Sequence, residues 1–130
     1  MVGLALGMAA VATVATPGTA SASQNNACYN QNACFWYGSW NGSTGTGAVA
    51  GFTDGYIPDL LPYHFGGAGS GSGTPVGNNS HSAKDNWSNE TMHVYYSVNR
   101  GGYVDTLYPG QGRNFISQLV NNDRSLQMES

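Results

Sequence analysis

Two runs of apolar and aromatic residues near the C-terminal end of the chain are separated by a polar break that contains glycine. The first run covers Met92 to Val98, the break is Asn99-Arg100-Gly101-Gly102, and the second run covers Tyr103 to Tyr108. Such runs on either side of a short glycine-containing loop predict a β-hairpin. A polar turn, Asn121-Asn122-Asp123-Arg124-Ser125, follows further along the chain.

The same order of parts occurs earlier in the sequence. The segment from Cys34 to Gly42 is again an aromatic strand that turns at glycine. Asn78-Asn79-Ser80-His81-Ser82 then repeats the pattern Asn-Asn-x-x-Ser of residues 121–125. An internal repeat of a small β unit predicts two halves that bury their apolar faces against each other.

The segments between these parts carry weaker signals. Ala48 to Phe52 predicts a short strand. Pro58 and Pro62 exclude a regular central strand or a long helix in the segment that follows, which favours a strand with turns or one helical turn. Gly66 to Gly73 is a low-complexity stretch expected to form a long surface loop. Asn114 to Val120 is compatible with either a helical turn or a strand.

Residues 1–22 have the pattern of a secretory signal peptide. An apolar region from Leu4 to Val14 precedes Ala20-Ser21-Ala22, a small-x-small cleavage site that makes Ser23 the expected first mature residue. The apolar run is too short and interrupted to span a membrane. A signal peptide begins with a positively charged region, but the first Lys or Arg of this chain is Lys84. We therefore expect translation to start upstream of Met1. Residues 23–130 then form one predicted domain of a secreted protein.

Composition narrows the class of protein further. Charged residues make up 8% of the chain, far below the usual ~25%, and glycine accounts for 19 residues. Few helix formers and many turn formers favour an all-β fold. The net charge is −3 with no basic cluster, so neither nucleic acid nor an anionic membrane is an expected partner. We expect a monomer.

Cys28 and Cys34 are the two cysteines of the chain. In a secreted protein the expected state of such a pair is a disulfide. Such a disulfide would close a short loop and reduce the entropy of the unfolded chain, which stabilises the folded state by about 2 kcal/mol. Cys-x₅-Cys is not a usual zinc spacing, and no second cysteine pair is present.

The sequence holds no arrangement that indicates catalysis. His64, His81 and His93 do not fall into a metal-ligand spacing, and no serine lies in a Gly-x-Ser-x-Gly motif. The acidic residues are scattered without a spacing that would fix a carboxylate pair. We therefore expect a protein that is not an enzyme. The acidic residues are Asp54, Asp59, Asp85, Glu90, Asp105, Asp123 and Glu129.

The aromatic residues have two possible roles. Exposed and coplanar rings could form a sugar-binding platform, whereas inward-facing rings would supply core. Alternation places Phe35 and Tyr37 on one face of a strand and Trp36 on the other, and one of these faces must be core. Trp87 is expected to cap the core. The rings considered for a platform are Phe35, Trp36, Tyr37, Trp40, Tyr95, Tyr96 and Tyr103.

The order of these motifs resembles the βγ-crystallin Greek-key motif. Phe35-x₄-Trp40-x-Gly42 precedes Asn78-Asn79-x-x-Ser82 in the first half, and Tyr95-x₄-Arg100-x-Gly102 precedes Asn121-Asn122-x-x-Ser125 in the second. The chain departs from the motif where Arg100 replaces an aromatic residue and where Ala83 and Leu126 replace the final serine. The resemblance implies an all-β, two-motif Greek-key sandwich.

Together with the signal peptide and the cysteine pair, this order is similar to one branch in particular. That branch is the secreted bacterial peptidase inhibitors typified by the Streptomyces metalloproteinase inhibitor, and the resemblance covers Cys28 to Gln127. It implies a protein that binds and blocks an extracellular peptidase. The disulfide would either stiffen a loop or anchor the N-terminus. The bond Cys34-Phe35 matches the family's reactive bond only superficially, so the inhibitory loop stays unassigned.

Two alternatives remain open beside the inhibitor. The first is a calcium-binding module of weak affinity, about 10⁻⁴ to 10⁻³ M, without any other cofactor. The second is a secreted toxin or cell-wall-associated factor on the same fold. If no calcium binds, the polar side chains of the turns would satisfy backbone groups instead. The possible calcium ligands are Asn78, Asn79, Ser82, Asn121, Asn122 and Ser125.

Overall fold

The computed structural model describes residues 23–130 and consists of antiparallel strands arranged in two sheets. The predicted signal peptide, residues 1–22, lies outside the described residues. No helix within residues 23–130 has the length and apolar character needed to cross a bilayer. The expected all-β fold is confirmed. The strands are β1 Gln24–Asn25, β2 Ala33–Trp36, β3 Val49–Phe52, β4 Tyr56–Ile57, β5 Ser82–Asp85, β6 Thr91–Ser97, β7 Gly101–Leu107, β8 Gly112–Asn114 and β9 Ser125–Glu129.

Each half contains one Greek-key unit, β2 to β5 in the first half and β6 to β9 in the second, and each unit gives its third strand to the sheet of the other half. The order β1-β3-β2-β5-β8 makes a five-stranded sheet, and the order β4-β9-β6-β7 makes a four-stranded sheet. Strand β4 belongs to the first half but pairs with β9, where Ile57 lies opposite Leu126. Strand β8 belongs to the second half but pairs with β5, where Arg113 lies opposite Ala83. Neither sheet is complete without both halves, as expected for two Greek-key units that fold together.

The core lies between the two sheets and is continuous across the halves. Phe35 packs edge-on against Phe52 at 5.8 Å between ring centres, and its ring is tilted against that of Phe115 in the second half at 6.2 Å. Trp87 lies partly buried against this core, as the sequence predicted. The fully buried large side chains, which supply most of the apolar area removed from water, are Phe35, Phe52, Phe65, Ile57, Leu60, Met92, Leu107, Leu119, Leu126, Val76 and Val94.

Most of the predicted elements occur where the sequence placed them. The hairpin predicted from the apolar runs is β6 and β7, joined by a 3₁₀ turn at Val98–Arg100. The segment with the two prolines is a strand with turns, because β4 is confined to Tyr56–Ile57 just before Pro58. The ambiguous segment after Asn114 is a turn, in which Leu119 N donates to Ile116 O at 2.9 Å.

The register of the internal repeat differs from the one predicted at the hairpins. Ser82 pairs with Trp36 in the first half, and Ser125 pairs with Tyr95 in the second, so Trp36 and Tyr95 are equivalent. The prediction that Phe35 matches Tyr95 is wrong by one residue. The reason is that β2 and β3 are separated by residues 37–48, whereas β6 and β7 are separated by residues 98–100. The glycine spacing in the two loops is therefore not comparable.

A partly buried ion pair joins the two sheets in the second half. Arg113 on β8 donates to Asp105 on β7 at 2.7 Å, and Ile116 N donates to the same carboxylate at 2.8 Å. By strand register, the matching positions of the first half hold the apolar residues Ala50 and Ile57. A carboxylate as buried as Asp105 requires such partners, because an unpaired charge there would be strongly destabilising.

A second buried carboxyl, that of Asp85, lies at the end of β5 where the chain leaves the first half. One oxygen accepts from Trp87 N at 3.0 Å, whereas Oδ2 is buried without a partner among residues 23–130. Burial raises the pKa of Asp85 from 3.8 to about 6, against the lowering effect of the hydrogen bond from Trp87 N. Folding therefore shifts the protonation equilibrium of Asp85 towards the neutral acid.

We predict that Asp85→Asn removes a pH-dependent cost of folding. A carboxyl whose pKa is raised on folding adds its full contribution to the free energy of unfolding below pH about 4. This contribution is lost as pH rises through about 6. Each tenfold change in proton affinity is worth about 1.4 kcal/mol, so the variant should gain up to ~3 kcal/mol over the wild type between pH 4 and pH 7. Urea unfolding of both proteins across that range measures the difference. A constant difference would contradict the assignment.

Candidate functional site

The two Asn-Asn-x-x-Ser turns face each other across the pseudo-twofold axis that relates the halves. Asn78 N donates to Asp123 O at 2.8 Å, and Asn121 N donates to Ser80 O at 2.9 Å. These two hydrogen bonds connect equivalent atoms in opposite directions. The turns that the sequence singled out are therefore joined to each other, and through them the two halves are joined.

The asparagines of each turn serve the backbone. Asn78 and Asn121 have φ angles of 67° and 60°, in the left-handed region that asparagine tolerates better than most residues. The second asparagine of each turn donates its side-chain amide to the carbonyl two residues earlier. Asn79 Nδ2 lies 3.2 Å from Gly77 O, and Asn122 Nδ2 lies 3.3 Å from Val120 O.

The serine of each turn fastens its strand to the hairpin of the same half. Ser82 Oγ donates to Gly38 O at 2.8 Å, and Ser125 Oγ donates to Ser97 O at 2.7 Å. Ser125 Oγ also accepts from Arg100 N at 3.0 Å. Both serines are fully buried. Their hydroxyl groups are therefore occupied by backbone atoms of the hairpins.

The third residue of each turn meets its counterpart at the axis. Ser80 N donates to Asp123 Oδ1 at 3.2 Å, and Asp123 Oδ2 is buried without a partner among residues 23–130. Burial raises the pKa of Asp123 well above 3.8, and the hydrogen bond from Ser80 N lowers it only in part. The folded state thus favours a neutral carboxyl, which is a poorer cation ligand than a carboxylate.

A groove of about 400 Å³ lies beside the turns. Asn78 of one turn and Asn122 of the other both line it, whereas the two buried serines do not. Arg124 also lines the groove and is paired with Asp59 at 3.1 Å. Within residues 23–130, no three His, Cys, Asp or Glu side chains group as a metal site would require. The groove offers neutral amides beside a fixed positive charge.

The predicted disulfide between Cys28 and Cys34 is confirmed, with a Cα–Cα distance of 5.6 Å. Cys34 lies in β2 and is fully buried, on the outer face of the sheet. The N-terminal segment covers this face, because a Cβ added at Gly51 would collide with the Ala27 carbonyl oxygen and the Asn32 side chain. The bond therefore both anchors the N-terminal segment and closes a loop.

Hydrogen bonds hold the closed loop in one conformation. Tyr29 N donates to Asn32 Oδ1 at 3.1 Å, and Gln31 N donates to Asn86 O at 2.8 Å. Asn86 Nδ2 donates back to Tyr29 O at 2.9 Å. The Tyr29 side chain nevertheless points away from these contacts and is 61% exposed. Sequence reasoning missed Tyr29, although its place inside a disulfide-closed loop of a secreted chain is a usable signal.

The rings and histidines considered in the sequence are distributed over both sheets and do not form one site. Phe35 and Trp36 are buried, and Trp40 packs edge-on against Trp36 at 5.7 Å between ring centres, so these rings form no open platform. Tyr96 and Tyr103 form an exposed pair in the four-stranded sheet. On the same sheet the half-buried His93 lies 3.2 Å from the exposed Glu129.

We predict that the hydroxyl groups of the two turn serines stabilise the folded protein. Ser82→Ala should lower the free energy of unfolding by about 1 kcal/mol and Ser125→Ala by about 2 kcal/mol, because the second removes two hydrogen bonds. Ser117→Ala, in an exposed turn, is the matched control and should change it by less than about 0.5 kcal/mol. Urea unfolding measures all three. Losses no larger than that of the control would contradict the assignment.

Comparison with known proteins bears on the fold. No protein-family model and no curated protein matches the sequence. Among solved structures, one described as "Evolution of the eye lens beta-gamma-crystallin domain fold" is similar, with a TM-score of 0.58 and 12% sequence identity. The likeness covers 85% of this chain and 98% of that one. With two Greek-key units that exchange their third strands, this chain has the βγ-crystallin domain fold.

Proposed function

We propose that the protein is a secreted inhibitor of an extracellular peptidase and that the loop closed by Cys28 and Cys34 is its inhibitory segment. The observation that carries the proposal is the exposed Tyr29 side chain on a loop that a disulfide and backbone hydrogen bonds hold in place. The disulfide is also compatible with an extracellular location.

A rigid loop suits this role for a thermodynamic reason. A segment that enters a peptidase cleft loses conformational freedom, and this loss weakens binding unless the segment is already ordered. The Tyr29 backbone is fixed on both sides, by Asn32 Oδ1 at its amide and by Asn86 Nδ2 at its carbonyl. Its free aromatic ring can then fill an apolar specificity pocket, as aromatic anchors of protein interfaces commonly do.

Other segments are less suited to enter a peptidase cleft. The bond between Cys34 and Phe35 lies within β2, where both residues are fully buried. The glycine-rich loop from Gly66 to Gly73 folds back on the first hairpin, where Ala48 N donates to Ser70 O at 2.9 Å. Its exposed positions carry only small side chains, which offer little area to a specificity pocket.

The calcium-binding alternative has less support. The hydroxyl groups of Ser82 and Ser125 are engaged by the backbone, and Arg124 lines the groove in which Asn78 and Asn122 meet. The turns give no support to a toxin or cell-wall factor, because the hydroxyl groups of both serines are engaged within the fold. The inhibitor is therefore the function we propose.

We predict that purified residues 23–130 inhibit at least one member of a panel of secreted metallo- and serine peptidases. Tyr29→Ala should raise the inhibition constant about thirtyfold or more, because truncating a buried interface anchor costs 2 kcal/mol or more. Tyr103→Ala is the matched control, since Tyr103 is 60% exposed but lies in the other sheet. Inhibition constants for the three proteins against the same peptidase measure the effect.

Two results would contradict the proposal. One is the absence of inhibition across the whole panel by folded protein whose disulfide is intact. The other is an equal effect of both tyrosine substitutions, which would place the contact surface outside the closed loop.

A further inference from the structure

A cleft of about 550 Å³ lies beside the disulfide-closed loop and is distinct from the groove at the turns. Three segments that are distant in sequence build it. They are the closed loop with Asn30 and Gln31, the link between the two halves at residues 86–88, and the turn after β7 at Pro109 and Gly110. No side chain that lines the cleft carries a charge.

Backbone hydrogen bonds connect the three segments. Gln31 N donates to Asn86 O at 2.8 Å, and Asn86 N donates to Asn32 O at 3.0 Å. Gly110 N donates to Asp85 O at 2.7 Å, which fixes the third segment to the second. The walls of the cleft are therefore set by the fold, so a ligand need not order them on binding.

Backbone groups fix the orientation of two side-chain amides in the cleft. One amide is left with a free donor and the other with a free acceptor. Gln31 Oε1 accepts from Ser88 N at 2.9 Å, which leaves the Nε2 donor without another partner among residues 23–130. Asn86 Nδ2 donates to Tyr29 O at 2.9 Å, which leaves the Oδ1 acceptor without another partner in the same part of the chain. Because the scaffold partners are backbone groups, the orientation of each amide is unambiguous.

Trp87 gives the cleft an aromatic wall. Its ring lies partly buried against the core, and its indole N–H has no hydrogen-bond partner among residues 23–130. A ring fixed in this way presents apolar area at little entropic cost, since it has only two side-chain torsions to lose. The cleft thus combines one aromatic surface with a fixed donor, a fixed acceptor and no charge.

We propose that this cleft binds a neutral oligosaccharide. A sugar ring has an apolar face that can lie against the indole, and its hydroxyl groups both donate and accept. Adjacent hydroxyls can therefore pair with Gln31 Nε2 and Asn86 Oδ1 at once. A charged ligand would be desolvated in the cleft without a counter-charge, which is unfavourable. This binding function does not depend on inhibition of a peptidase.

The test is a titration of isotope-labelled residues 23–130 with cellotetraose, chitotetraose and mannotetraose, followed by two-dimensional amide NMR. Trp36, Trp40 and Trp87 are the three tryptophans, so the spectrum holds three indole N–H signals. Trp87→Phe identifies the signal of Trp87. We expect at least one sugar to shift this signal and the side-chain amide signals of Gln31 and Asn86, with saturation at about millimolar sugar.

Gln31→Glu separates ligand binding from folding. A carboxylate oxygen still accepts from Ser88 N, whereas the free donor becomes a charged acceptor. The variant should bind the sugar at least tenfold more weakly and keep the dispersed spectrum of the folded protein. Gln118→Glu adds the same charge at an exposed position and should bind like the wild type.

The proposal is overturned if none of the three sugars gives saturable shifts at the cleft, or if the shifts centre on Trp36 and Trp40. It is also overturned if Gln31→Glu binds as tightly as Gln118→Glu. The protein can bind a sugar whether or not it inhibits a peptidase, so the inhibition assay does not decide the outcome of the sugar titration.

Discussion

The fold depends on a pair of reciprocal backbone hydrogen bonds at the pseudo-twofold axis. Asn78 N reaches Asp123 O at 2.8 Å, and Asn121 N reaches Ser80 O at 2.9 Å. Because each half also places its third strand in the other half's sheet, these turns must lie side by side for both sheets to close. The left-handed φ angles of the first asparagines bring the amides into position. Removing either turn would therefore expose strand edges and core of both halves together.

Local patterns in the sequence predicted the parts of this arrangement that depend on short-range physics. Apolar runs around Asn99 to Gly102 predicted the second hairpin, and the repeated turns predicted two equivalent units. The exchange of β4 and β8 could not be read from local patterning, because it depends on how the halves pack. The same holds for the one-residue error between Phe35 and Tyr95, since the loop lengths that shifted the register leave no periodic signal. The resemblance implied the two-motif Greek-key sandwich but not this exchange.

The candidate sites were harder to predict than the fold. Cys28 and Cys34 indicated a closed loop, yet the exposure of Tyr29 depends on contacts with Asn86, far along the chain. The cleft beside that loop joins three distant segments, so no sequence window contains it. The two halves therefore share a symmetric centre but differ at their ends. The first half carries the rigid loop, and the cleft lies between this loop, the link and the turn after β7. The exposed tyrosine pair of the second half lies in the other sheet.

The central claim is that the polar atoms of the two Asn-Asn-x-x-Ser turns are engaged within the fold, by the backbone of each half and by the contact between the halves, and do not bind calcium. A ligand that binds the native state alone raises the melting temperature with its concentration. Thermal unfolding of residues 23–130 at increasing calcium, up to about 10 mM, tests the claim most directly, because weak extracellular calcium sites saturate near that range. The account predicts a melting temperature that does not change beyond the effect of matched magnesium. A saturable rise with calcium, absent in Ser82→Ala with Ser125→Ala, would contradict it.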